Sequence, residues 1–159
     1  MFLKRSNKRF LFWASVAVVA GILWSAVSGY AQSPQTYKAR LSIVPIANAG
    51  GRTNIDESAT VFATGNATAT LTGTKLTVAG TFEGFKAPAS LAQIRTGPAM
   101  GVRGPVVFDL TVTKATKGTI SGTFDLTPAQ VDLLKNNRLY IQIHNQNTPE
   151  GAVWGWFMK

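Results

Sequence analysis

Between residues 37 and 158 the chain alternates apolar and polar residues over short runs, and a period of two restricts it to folds made of half-buried strands. Tyr37, Ala39, Leu41 and Ile43 alternate with Lys38, Arg40 and Ser42; Leu76, Val78 and Phe82 alternate with Thr77, Thr81 and Glu83. Successive side chains of a strand leave opposite faces, so each apolar set covers one face while the polar set meets water. Runs of this kind, broken at Thr72-Gly73 and Lys117-Gly118, predict packed antiparallel sheets in an all-β sandwich or barrel.

Strands are predicted over Tyr37 to Ile43, Thr60 to Leu71, Lys75 to Phe85, Ser90 to Thr96, Val106 to Thr113, Thr119 to Leu126, Leu139 to Asn145 and Ala152 to Met158. Pro45 ends the first of these or places it at an edge, and Asn48 to Glu57 reads as a loop. One helix interrupts the pattern at about residues 127–135. Thr127 is its N-cap, Pro128 its first helical residue, Gln130 completes a capping box and Leu126 staples onto Val131. Asn136-Asn137 stops it, and Gln146 to Gly151 turns the chain into its last strand. The sequence carries no internal repeat and no sign of a second domain after residue 32.

The N-terminus has a different logic. Lys4, Arg5, Lys8 and Arg9 precede an uncharged apolar run from Phe10 to Val27, followed by small residues at Gly29 and Ala31. That is the layout of an export signal cleaved before Gln32. The same run also reaches the lower limit for spanning a bilayer, so an uncleaved anchor is the competing reading. Residues 1–31 are therefore expected to be a signal peptide or membrane anchor, with residues 32–159 outside the cytoplasm. The chain has no cysteine, so the core must hold this exported domain without disulfides.

Four of the 16 basic residues lie in that N-terminal segment, leaving 12 against seven acids, a net charge of +5. These 12 are scattered, without a run resembling a nucleic-acid arm, so no nucleic-acid partner is expected. The glycines of Gly97 to Gly104 lead into a strand, where a nucleotide loop would open a helix.

Gly101-Val102-Arg103-Gly104-Pro105-Val106-Val107-Phe108-Asp109-Leu110, Gly122-Thr123-Phe124-Asp125-Leu126-Thr127, Leu139-Tyr140-Ile141-Gln142-Ile143-His144 and Pro149-Glu150-Gly151 with Gly155 resemble the chordin-type repeat, or CHRD, domain. The resemblance spans about Tyr37 to Phe157. It implies an immunoglobulin-like antiparallel β-sandwich, found in secreted bacterial proteins and animal chordin, with no established enzymatic activity. It also implies a polar group that looks like a metal or anion site: a His-Ile-His triplet before the Gly-Pro loop, a histidine late in the next-to-last strand and a Glu-Ile-Arg-Gly-Gln run in the last. Here Gln93-Ile94-Arg95 occupies the triplet, His144 remains, and Ala152-Val153-Trp154-Gly155-Trp156 occupies the last run.

A protein-held transition metal needs about three or four converging donors. With no thiolate and a single imidazole, neither metal nor cofactor is expected. Alternation instead places Trp154 and Trp156 on one face of the last strand, and Tyr140, Gln142 and His144 on one face of its hairpin partner. If Gln93 and Arg95 point the same way, the polar cluster has become an aromatic surface with one guanidinium, suited to a sugar ring, a flat apolar molecule or another protein. The competing reading is that both tryptophans pack in the core.

No nucleophile with its base and no matched carboxylate pair is evident. Asp56-Glu57 lie in a loop beside Arg52, and Asp109 and Asp125 read as surface partners of Lys or Arg. The expectation is a non-enzymatic binding module at a bacterial cell envelope, with a protein, glycan or small-molecule partner bound by Arg95, Tyr140, Gln142, His144, Trp154 and Trp156. The alternatives are an accessory subunit of a membrane complex held through residues 10–27, and a metalloprotein resembling the superoxide dismutase sandwich.

Overall fold

The computed structural model describes residues 33–44 and 63–159. The export signal, Pro45, the Asn48 to Glu57 loop with Arg52, and the start of the second predicted strand at Thr60 lie outside the described residues. Among the described residues eight strands and one helix follow in order: β1 Gln35–Ile43, β2 Thr64–Thr72, β3 Lys75–Glu83, β4 Ala89–Thr96, β5 Val106–Val112, β6 Gly118–Asp125, α1 Pro128–Lys135, β7 Leu139–Asn145 and β8 Val153–Trp156.

All pairings are antiparallel and close on themselves in the order β1-β2-β3-β6-β5-β4-β7-β8. This replaces the two-sheet, immunoglobulin-like sandwich with a closed barrel. Two strands make the difference, because each changes partners along its length. β1 lies against β2 from Gln35 to Leu41 and against β8 at Ser42 and Ile43. β5 lies against β4 from Val106 to Leu110 and against β6 at Thr111 and Val112. Corner strands of this kind join two sheets into one ring. Alternation alone is the same for both architectures, which is why it left them unresolved.

Residues facing the barrel axis form one core that includes Tyr37, Leu41, Leu76, Val78, Phe82, Ile94, Ile120, Ile141, Ile143 and Phe157, with Leu134 of α1 buried against it. The helix starts as its sequence dictates: Thr127 Oγ1 accepts from the Gln130 amide at 3.3 Å and the Gln130 side chain accepts from the Thr127 amide at 2.9 Å. Asn136 caps the other end, and Asn137 takes φ 55°, a left-handed conformation that asparagine tolerates.

The outer surface is unequal. On β2, β3 and β6 it is exposed and rich in threonine: Thr64, Thr68, Thr77, Thr81, Thr119 and Thr123 all face water. On β7 and β8 every residue is buried, those pointing away from the core included. This second, outward layer contains five of the six candidate site residues, with Arg95 beside it on β4.

Candidate functional site

Register brings the six expected site residues onto one flank. Tyr140 pairs with Trp156 and Gln142 with Trp154 across β7 and β8. Arg95 pairs with Tyr140, Gln93 with Gln142 and Leu91 with His144 across β4 and β7. The proposed sharing of one face by the last two strands and the Gln93-Ile94-Arg95 segment is therefore the observed arrangement.

The rings form their own cluster with Val44, separate from the core. Tyr140 stacks on Trp156 with centroids 4.6 Å apart and planes 22° apart; Trp154 meets Trp156 edge-on at 4.5 Å and Tyr140 at 5.9 Å. Exposure is 0 % for Tyr140, 7 % for Trp154 and 9 % for Trp156. The open aromatic surface expected from alternation is thus corrected: the tryptophans are buried, as the competing reading had it, in a small second core cluster apart from the main one.

Two loops lie against this flank, and the polar site residues tie them down. Arg95 donates from Nε to the Gly104 carbonyl at 3.0 Å and from a terminal nitrogen to Gln93 Oε1 at 2.9 Å; Gln93 in turn donates to Asp109 at 2.8 Å. Asp109 therefore partners an amide, where a cation had been expected. The Gly104 amide donates to the Tyr140 hydroxyl at 3.2 Å. On the other side Gln142 Nε2 donates to the Glu150 carbonyl at 2.7 Å, and His144 Nδ1 lies 2.8 Å from the Pro149 carbonyl. Arg103 and Glu150 join the two loops by an ion pair at 3.3 Å.

Sequence reasoning missed the organiser of the second loop, Asn145. Its Oδ1 accepts from the amides of Asn147 and Thr148 and from the Thr148 hydroxyl, at 2.7 to 2.9 Å. An asparagine followed by a turn and a threonine is the signal that would have revealed it.

Because a carbonyl only accepts, His144 Nδ1 carries the proton in the neutral ring, leaving Nε2 as an acceptor. Burial pushes the His144 pKa below the ordinary imidazole value; Arg95 and Arg103 add to that effect, while the Pro149 hydrogen bond and Glu150 oppose it. His144 Nε2, Gln142 Oε1, Asn145 Nδ2 and Trp156 Nε1 are buried with no partner among the described residues. Buried polar atoms in folded proteins nearly always have partners, ordered water included. No three histidine, aspartate or glutamate side chains converge among the described residues.

Beside this layer the Met100-Gly101 turn leaves a groove of about 500 Å³ over β1 and β8, lined by Lys38, Arg40, Ser42, Trp154, Trp156 and Met158 as well. Of the sequence-predicted residues only the two tryptophans reach it. The others were legible only once β1 was known to pair with β8.

The CHRD domain family model matches residues 47–156. The chain belongs to the CHRD family. Neither a curated protein nor a solved structure matches it. CHRD domains are typically extracellular, and the family is of the binding type. The match begins after β1, so the strand that closes this CHRD barrel and supplies Lys38, Arg40 and Ser42 to the groove lies outside it. Among the described residues no helix is long and apolar enough to cross a membrane.

Proposed function

We propose that this CHRD domain acts as a non-enzymatic binding module at a bacterial cell envelope, delivered there by residues 1–31 as a signal peptide or anchor, and that the groove over β1 and β8 is where its partner sits. The observation that carries this reading is the flank itself: two loops are clamped against it by side chains, its aromatic layer is packed, and at its margin Trp154 and Trp156 line an open groove. Arg95, Tyr140, Gln142 and His144 then shape the site by fixing its loops, and Trp154 and Trp156 touch the partner. Ligand sites of a few hundred Å³ with apolar walls and a few placed polar groups have this form.

The test fills the groove. Ser42 is exposed on β1, so Ser42→Trp should leave the far-UV circular dichroism and the melting temperature unchanged. Immobilised wild-type protein should retain a component of native envelope extract that the variant does not. Equal retention by both proteins would place binding elsewhere.

A further inference from the structure

The chemistry of the groove lining is narrower than that of a general binding surface. Lys38 and Arg40 both point outward from β1, two residues apart and hence about 6.7 Å along the strand. Both are exposed, and among the described residues neither makes an ion pair and no acid lines the groove. Lys38 is held opposite Met158 by two backbone hydrogen bonds, at 2.7 and 2.9 Å. Its cation therefore stands across the strand pair from an apolar side chain. Met158 is 44 % exposed and Met100, on the loop across the groove, 55 %. Methionines are flexible and polarizable, and surfaces that carry them fit apolar ligands of varied shape.

The binding reading above is assumed here, and the ligand class follows from three features. Two cations on one rim require an anion. The two methionines and the indole edges require an apolar body attached to it. Finally, β1 and β8 already pair with each other, so no free strand edge is offered for a peptide to extend the sheet. We propose that the groove binds a monomeric anionic amphiphile, a carboxylate carrying an alkyl chain. Its head lies between the Lys38 ammonium and the Arg40 guanidinium, and its chain runs over Met158, Met100 and the edges of Trp154 and Trp156.

Calorimetric titration of the full chain with decanoate and decyltrimethylammonium, each below its micelle concentration, and with decanol below its solubility limit tests this. Decanoate should bind one to one, at least about tenfold tighter than decanol, since hydrogen bonds to charged groups are the stronger kind. The ammonium should not bind. The double variant K38Q/R40Q, altered only at exposed side chains, should lose that tenfold preference and bind decanoate as weakly as decanol.

Equal affinity for decanoate and decanol, or wild-type decanoate affinity in K38Q/R40Q, would overturn the proposal. So would uptake of many molecules per chain, which is nonspecific absorption. Adhesion to phosphatidylglycerol vesicles that K38Q/R40Q abolishes, in a protein that ignores decanoate, would also overturn it in favour of a lipid surface. Should the extract experiment with Ser42→Trp succeed while decanoate fails, the binding module stands and only this ligand class falls.

Discussion

Gly151 lies directly against the side-chain amide of Gln142: a Cβ at residue 151 would fall on Nε2, the atom that donates to the Glu150 carbonyl. Gly151 also has φ 112°, where side chains are strained. Gly151→Ala therefore both strains the backbone and drives Gln142 off its loop. It should lower stability by more than the about 1–3 kcal/mol of backbone strain alone. Gly73→Ala, also at positive φ but in open space, should cost only the conformational part. Thermal denaturation of the two variants checks the difference; equal losses would mean that the Gln142 clamp contributes nothing.

The packed rings make a second prediction. Trp156→Ala should cost about 3–5 kcal/mol, as other large aromatic truncations do, and a double-mutant cycle with Tyr140→Leu should give a coupling of about 0.5–1.5 kcal/mol. Denaturant unfolding measures both. A Trp156→Ala protein as stable as the parent would show the layer to be loose. Alanine substitution of these tryptophans is accordingly a stability experiment, and groove occupancy is better probed at Ser42, Lys38 and Arg40.

His144 predicts a pH dependence whose sign follows from its depressed pKa. The folded protein keeps the ring neutral to a lower pH than the unfolded chain does, so the unfolded state takes up the proton first on acidification. The contribution is whole above pH 6.5 and is lost as pH falls from there through the folded-state value. Stability measured from about pH 7.5 to 5.5 should decline in the wild type and decline less in His144→Gln. Parallel curves would remove His144 as the cause.

Asn145→Ala removes the acceptor shared by the Asn147 amide, the Thr148 amide and the Thr148 hydroxyl. At about 0.5–1.5 kcal/mol for each net hydrogen bond, the loss should be about 2–4 kcal/mol. Hydrogen exchange at the Asn147 and Thr148 amides should speed up most. Uniform acceleration along the chain would mean that the loop is not a separately held unit.

Particular residues show what the sequence could and could not disclose. The helix was legible atom by atom, because Thr127, Pro128 and Gln130 act on neighbours within one turn. The inward faces of β1 and β3 followed from alternation, and so did the common flank of Tyr140, Gln142, Trp154 and Trp156. Closure of the ring did not, since the contact of Ser42 with Trp154 joins residues far apart in the chain and leaves no local pattern. Alternation also left open whether the rings were buried or exposed, for another reason. Arg95, Tyr140, Gln142 and His144 bind backbone groups of the loops, and a backbone amide or carbonyl carries no residue identity to read.

The Ser42 to Trp154 seam also sets an order of events. Five of the seven other strand pairs join consecutive strands, and β3–β6 and β4–β7 bring together residues at most 56 apart, whereas Ser42 and Trp154 are 112 residues apart and β1 must keep one edge unsatisfied until the final strand arrives. Long-range pairing of that kind is slow, because the chain loses its freedom before the contact rewards it. A chain caught before that last step presents two unpaired strand margins, and these are the places where self-association would begin.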